Sequence, residues 1–145
     1  MRKHLAVPFL SVALAASAAA QTPPTGPTPK PATALPPGMA KVYMVLLKKG
    51  PAWTAEKTEA TTAIQAGHMA NIARLWKEKK LIVAGPGGDD GDLRGVFVFD
   101  TDSLEEAKAL AASDPAIKAG RLAPEFHSWW VERKALPVAG EYCQK

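Results

Sequence analysis

Short runs of β-branched and aromatic residues predict four strands in this chain. The runs are Lys41 to Leu47, Leu81 to Ala84, Gly95 to Phe99 and a last one around Leu122 to Val131. The first three are apolar at almost every position, whereas a sheet with one solvated face has strands in which apolar and polar residues alternate. We therefore expect both faces of the sheet to be covered.

Two other segments carry a helical pattern. Between about Ala55 and Lys79, apolar residues recur on one helical face; they are Ile64, Ile72 and Leu75. Ser103 is followed three residues later by Glu106, and this pair has the form of a capping box that starts a second helix.

The order strand, helix, strand, strand, helix, strand is that of an α+β fold with the ferredoxin-like βαββαβ split motif. Two helices can cover only one face of such a sheet. The simplest cover for the other face is the sheet of a second copy, so we expect a homodimer of the dimeric α+β barrel kind.

Composition divides the chain into four segments. Residues 1–20 have the layout of a secretory signal peptide, residues 21–39 contain seven prolines and form a linker, 40–136 are the folded domain and 137–145 a tail. The apolar run of the first segment is about a dozen residues, and a membrane span needs ~20. We expect an exported protein, periplasmic or extracellular, without stable membrane insertion after signal cleavage.

The charge balance gives no reason to expect a nucleic-acid partner. The chain has 18 basic and 14 acidic residues, and loss of Arg2 and Lys3 with the signal peptide leaves 16 basic ones. The remaining Lys and Arg are scattered through the domain and form no stripe. Cys143 is the only cysteine, so it can make no internal disulfide; a bond between two chains and a free thiol both stay open.

His68 is the first candidate for chemistry. It lies four residues after Ile64 and four before Ile72, so it falls within the apolar stripe and is aimed into the interior. It is either a core imidazole that is bonded to a backbone carbonyl or a general acid and base.

Asp114 is the second candidate. It follows Leu110 by four residues and so continues one face of the second helix, at the end where the helix dipole disfavours a carboxylate. Alternatively, Asp114 caps a short turn that begins at Pro115 and is closed by Gly120. Capping and catalysis do not exclude each other, because a carboxylate that meets His68 would orient the imidazole.

Five residues are candidates of second rank for a pocket. Phe126, His127 and Trp129 place aromatic rings beside a histidine in one strand, which is typical of a pocket wall or of a dimer interface. Gly85 and Pro86 begin a solvated hairpin loop and are expected to line the mouth of the pocket.

No cofactor or metal is predicted. The loop 85–92 has neither the glycine spacing of a dinucleotide site nor the terminal Glu of a calcium loop. His68, His127 and Asp114 have the residue types of a 2-His-1-carboxylate site, but no local pair has the spacing of a common zinc motif.

Three segments together resemble the YCII-related (YciI-like) family: Gly67 to Trp76, Leu81 to Pro86, and Asp114 with Pro115. The resemblance implies a dimeric α+β barrel with a His–Asp pair in a cleft, here His68 and Asp114. One characterised relative is a dehydrochlorinase acting on a chlorinated hydroxyhydroquinone, and the broader superfamily includes muconolactone isomerase and cofactor-free monooxygenases. Most relatives are plain cytoplasmic domains, unlike this chain with its export signal.

The resulting hypothesis is a cofactor-independent lyase or isomerase for a small aromatic or enolisable molecule. His68 would be its acid and base, and Asp114 would orient His68. The alternative is a non-catalytic small-molecule-binding or structural dimer module, in which His68 is a packed core residue.

Overall fold

The structure is a computed structural model that describes residues 34–138. The predicted signal peptide, most of the proline-rich segment and Cys143 lie outside the described residues, so the predictions about them stay predictions. None of the helices within residues 34–138 is long and apolar enough to cross a membrane.

A single antiparallel sheet with helices forms the domain. The elements in chain order are β1 (Met39–Lys49), α1 (Glu59–Lys77), β2 (Leu81–Pro86), β3 (Leu93–Phe99), α2 (Leu104–Ala112), α3 (Pro115–Lys118) and β4 (Leu122–Glu132), followed by one 3-10 turn, Arg133–Ala135. The strand order is β2-β3-β1-β4, with every neighbouring pair antiparallel. The α+β class and the ferredoxin-like split motif are confirmed.

Helix α1 begins four residues later than the helical pattern predicts. Thr58 is its N-cap: the Thr58 hydroxyl accepts from the backbone N–H of Thr61, and the Thr61 hydroxyl accepts from the backbone N–H of Thr58. This reciprocal pair satisfies two backbone donors that the helix itself cannot. The predicted start at Ala55 is therefore wrong.

Helix α2 begins where the sequence predicts, but only half of the capping box forms. The Ser103 hydroxyl accepts from the backbone N–H of Glu106. The Glu106 carboxylate binds Lys80 at 2.7 Å and the Thr101 hydroxyl instead of the Ser103 backbone. A charge-assisted bond to an ammonium is stronger than one to a neutral backbone N–H, which explains the choice.

The main core lies between the helices and one face of the sheet. Val45 of β1 pairs with Phe97 on one side and with Phe126 on the other, so these three side chains share this face. They pack with the buried Leu75 of α1 and Ala107 of α2. This core fixes the position of α1 over the sheet.

The opposite face carries a second, smaller apolar cluster. Val42, Ile82 and Val98 are buried there, and Leu136 packs against them from the segment after β4. Trp129 pairs with Val42 on this face and is 42% exposed. Part of the expected cover therefore comes from the chain's own C-terminal segment, and the homodimer stays a prediction.

Candidate active site

Helix α1 directs His68 toward the sheet, as its helical repeat predicts. The His68 side chain is 12% exposed. Its ring stacks on Phe97 of β3, with the ring centroids 5.7 Å apart and the planes 18° from parallel. Ile64 and Ile72, four residues to either side, pack against the core. The imidazole is therefore held in a defined orientation between α1 and β3.

Asp114 lies in the turn between α2 and α3 and is fully buried. The expectation that it continues the second helix is wrong, because α2 ends at Ala112 and Asp114 has extended backbone angles. Pro115 disfavours a helical conformation at the residue before it, which explains the break. The capping role is confirmed: Oδ1 of Asp114 accepts from the backbone N–H of Ala116 at 2.8 Å.

The other oxygen of Asp114 binds the histidine. Oδ2 lies 2.9 Å from Nδ1 of His68, and it accepts a further bond of 3.1 Å from the side-chain amide of Asn71. One carboxylate oxygen therefore caps α3 and the other faces α1. Capping and contact with His68 occur together, and they do not compete for the same atom.

Gly67 allows the two helices to meet. A Cβ atom at this position would lie 3.0 Å from Cγ and 3.2 Å from Cβ of Pro115, closer than ordinary van der Waals contact. A side chain at this position would require the Pro115 ring to move by a few tenths of an ångström. Because Gly67 precedes His68 and Pro115 follows Asp114, this contact sets the separation of the imidazole and the carboxylate.

Asn71 supports the pair and was missed in the sequence. It lies three residues after His68 on α1 and is buried. Its amide oxygen accepts from Nη2 of Arg74 at 2.8 Å and from the Ser113 hydroxyl at 3.1 Å, so its NH₂ group is left to bind Asp114. The available signal was a small polar residue one helical turn from His68 on the same face.

The charge of Asp114 follows from these contacts. Burial by itself raises the pKa of its carboxyl, because it disfavours the ionised form. The hydrogen bond from His68, the positive charge that this imidazole carries when it is protonated, and the bonds from Ala116 and Asn71 outweigh burial and lower the pKa below its ordinary value of 3.8. Asp114 is therefore a carboxylate at neutral pH.

The state of Asp114 fixes the tautomer of His68. A carboxylate only accepts hydrogen bonds, so Nδ1 of His68 must carry a proton and donate it to Asp114. Nε2 has no hydrogen-bond partner within residues 34–138. The neutral ring thus keeps a lone pair on Nε2, the nitrogen that is free to accept a proton.

His68 lines a cavity of about 440 Å³ between α1 and the sheet. Its walls are mainly apolar and include Leu47, Ile72 and Phe97. Arg94 adds a charged group to the lining. This mixture of apolar walls and a few polar groups is typical of a small-molecule site.

The second-rank candidates divide between three places. Gly85 and Pro86 line the cavity. Phe126 packs into the main core, while His127 and Trp129 lie on the opposite face of the sheet, where they pair with Met44 and Val42. These three residues do not line the His68 cavity, so they do not form one pocket wall with it.

His127 belongs to a separate polar cluster. Its Nε2 lies 2.8 Å from Glu125, and Glu125 also binds Lys48. Since His127 and His68 lie on opposite faces of the sheet, a 2-His-1-carboxylate set with Asp114 does not assemble within one protomer. Residues 34–138 hold no group of three or more His, Cys, Asp or Glu side chains placed to bind a metal.

Comparison with known proteins identifies the family of this domain. The family model of the YCII-related domain matches residues 42–124, more than half of the chain. The chain belongs to the YCII-related family. Proteins similar to it include the uncharacterised protein YjpA of Bacillus subtilis (strain 168), which is 34% identical over 68 residues that make up 47% of this chain and 78% of YjpA.

A solved structure is also similar to this YCII-related protein. It is the 5-chloro-2-hydroxyhydroquinone dehydrochlorinase TftG from Burkholderia phenoliruptrix, in complex with 2,5-dihydroxybenzoquinone. The two are 26% identical with a TM-score of 0.44, and the match covers 61% of this chain and 92% of TftG.

Proposed function

We propose that this YCII-related protein is a lyase or isomerase that acts, without a cofactor, on a small aromatic or enolisable molecule. The observation that carries the proposal is the contact between Nδ1 of His68 and the buried carboxylate of Asp114. Nδ1 lies 2.9 Å from Oδ2 of Asp114, and Nε2, the other nitrogen of a ring that lines an apolar cavity, has no hydrogen-bond partner within residues 34–138. A lone pair held in this way is a general base.

In the proposed reaction, Nε2 of His68 removes a proton from an acidic carbon or hydroxyl of the substrate. The imidazolium that forms is stabilised by the Asp114 carboxylate, as an orienting acid stabilises a catalytic histidine in other enzymes. An isomerase would return the proton to a second atom. A lyase would use the electron pair of the broken C–H or O–H bond to form a double bond while a leaving group departs as an anion with its own bonding pair.

The chemistry is tested by following solvent deuterium into substrate carbon. Small enolisable ketones, lactones and hydroxyquinones would be incubated with the protein in D₂O and examined by NMR. His68→Gln should reduce exchange by roughly a hundredfold or more. His127→Gln is the matched control, since His127 lies on the opposite face of the sheet, and it should exchange at the rate of the wild type. Full exchange in His68→Gln would refute His68 as the base.

A non-catalytic binding module is the second candidate. The observation in its favour is the packing of His68, which is nearly buried and stacks on Phe97. On this hypothesis, His68→Ala should lower the free energy of unfolding by about 1–3 kcal/mol through a cavity and an unpaired Asp114, and no tested compound should be turned over. Turnover that depends on His68 would reject it.

We further propose that two copies pair through the sheet face that carries Trp129. The support is an exposed tryptophan beside the buried cluster of Val42, Ile82 and Val98. Large exposed aromatic residues are enriched at such interfaces.

Export is a separate proposal, and it rests on the sequence of residues 1–20 alone. N-terminal sequencing of the protein recovered from its source cells tests it. A mature N-terminus at Gln21 would support cleavage after Ala20, and an intact Met1 would count against it.

A further inference from the structure

Three cations surround the indole ring of Trp53. The guanidinium carbons of Arg94 and Arg121 lie 4.9 and 5.1 Å from the ring centroid, and Nζ of Lys49 lies 6.0 Å from it. Lys49 ends β1, Arg94 is the second residue of β3, and Arg121 directly precedes β4. The three cations therefore meet at one end of the sheet, although they come from separate parts of the chain.

None of these three cations is neutralised by a carboxylate within residues 34–138. Arg94 donates to the carbonyl oxygen of Asp89, Arg121 to that of Thr54 and Lys49 to that of Asp90, at 3.0 to 3.1 Å. The other two arginines within residues 34–138 are both paired with carboxylates, Arg74 with Glu78 and Arg133 with Asp100. Neutral acceptors hold the cluster in place without removing its charge.

Arg94 also has an unused donor. Its Nε atom is buried and has no hydrogen-bond partner, one of only two such side-chain atoms within residues 34–138. A buried donor without a partner is costly to a fold unless a ligand or a water satisfies it. Arg94 lines the His68 cavity, so this unpaired donor belongs to a side chain of the candidate active site.

The cavity adjoins a wider cleft of about 880 Å³. Trp53, Gln65, Met69 and Arg94 line both spaces. The charged residues of the cleft are four cations and two acids: Lys49, Lys57, Arg94, Arg121, Glu56 and Asp90. A molecule in the His68 cavity can therefore extend past Arg94 into a region of positive charge.

We infer that the ligand of the His68 cavity is a small organic anion whose carboxylate, or an equivalent charged group, is bound by Arg94 and Arg121 beside Trp53. This rests on the proposed function only in placing the reacting part of the ligand next to His68. Arginine is suited to the task because its planar fork of N–H donors matches the two oxygens of a carboxylate. The apolar part of the ligand occupies the space along Phe97 and Ile72.

The test compares benzoate with benzamide, two probes of the same size that differ in charge. Their binding to ¹⁵N-labelled protein is followed at millimolar concentrations through the indole N–H of Trp53 and the Nε–H of Arg94. Benzoate should shift both signals and bind about tenfold more tightly than benzamide. Its affinity should fall as salt is added, because salt screens charges at the mouth of a cleft.

Two variants and one matched control locate the effect. Arg94→Gln and Arg121→Gln should each remove most of the preference for benzoate. Arg133→Gln removes the same charge from a side chain that is 60% exposed and paired with Asp100, and it should keep the preference. Arg94 also binds backbone carbonyls of the loop before β3, so Arg94→Gln could disorder this loop. In that case, the comparison with wild type is made with Arg121→Gln. Equal binding of the two probes, or no binding of benzoate, overturns the inference.

These experiments can refute the anion site and the proposed reaction independently of each other. Benzoate binding needs no turnover, so a preference for benzoate without any His68-dependent exchange supports the anion site and counts against the proposed reaction. Conversely, His68-dependent turnover of neutral compounds with no preference for benzoate supports the reaction and overturns the anion site.

Discussion

Nδ1 of His68 lies 2.9 Å from Oδ2 of Asp114, although the two residues are 46 positions apart in the chain. The contact joins the middle of α1 to the N-cap of α3. The opposite oxygen of the same carboxylate caps α3, so the group that orients the imidazole is itself held by the backbone of a helix. A carboxylate fixed at both oxygens has little freedom to move when His68 gains a proton, which is what an orienting acid requires.

Two substitutions of Asp114 distinguish the capping role of one carboxylate oxygen from the support that the other gives to His68. Asp114→Asn keeps an oxygen for the Ala116 N–H and loses the negative charge that supports His68. Asp114→Ala loses both roles and leaves the amide of Asn71 without its partner. We expect Asp114→Ala to unfold at lower urea concentration than Asp114→Asn, with a loss of about 2–4 kcal/mol relative to wild type. Equal stability of the two variants would contradict the capping role.

The stability of the protein should depend on pH through Asp114. Its pKa in the folded state is lowered below 3.8, so the unfolded chain binds more protons in acid than the folded one does. The stabilisation from this group is fully present above the unfolded value and is lost as the pH falls through the folded value. In urea titrations at a series of pH values, the stability difference between wild type and Asp114→Asn should therefore shrink below pH 3.8. A constant difference would contradict the lowered pKa.

Substitution of Gly67 by valine should destabilise the protein. A valine there would drive its side chain against Pro115, and overpacking of this kind lowers the free energy of unfolding by roughly 1–3 kcal/mol. The displaced α3 should also lengthen the contact between His68 and Asp114 and reduce any His68-dependent turnover. Gly88→Val is the control, because nothing lies within 4 Å of a Cβ at that position. Equal stability of the two variants would show that α3 can move to accommodate the larger side chain, and would contradict the prediction.

The proposed homodimer can be broken at Trp129. A lysine at this position would place a charge in the apolar contact, and a buried unpaired charge is strongly unfavourable. We expect dimeric mass for the wild type in light scattering and monomeric mass for Trp129→Lys. Lys108→Glu changes an exposed residue of α2, on the side of the sheet that the helices cover, and should stay dimeric. A monomeric wild type would refute the proposal.

Predictions from local pattern succeeded where the deciding interactions are between near neighbours in the chain. The cap formed by Asp114 with Pro115 needs only residues 114 to 118, and it forms as predicted. Thr58 with Thr61 caps α1 by equally local bonds, yet a Thr in place of the usual Glu hid the signal.

Of the two interpretations of Phe126, His127 and Trp129, the pocket wall is wrong and the dimer interface stays a prediction. Phe126, His127 and Trp129 were grouped as one pocket wall because they are close in sequence. Successive residues of a strand point to opposite faces, so Phe126 enters the main core while His127 and Trp129 face away from it. The alternation was available in the sequence, but which face carried the cavity was not.

The cluster of Trp53, Arg94 and Arg121 could not be found from local pattern. Trp53, Arg94 and Arg121 belong to a loop, a strand and a turn, and they carry no shared spacing. They meet because β1 pairs with both β3 and β4, which brings the ends of these three strands together at one end of the sheet.

The amino-acid sequence by itself determined the order of strands and helices, the inward direction of His68 and the cap at Asp114. Each of these depends on periodicity or on bonds within one turn of chain. Only the tertiary structure decided that His68 and Asp114 meet, that Asn71 joins them and that Arg94 faces the same cavity. Those contacts depend on the packing of α1 against α3 and on strand pairing, where distant residues are brought together by the burial of the core and not by their own spacing.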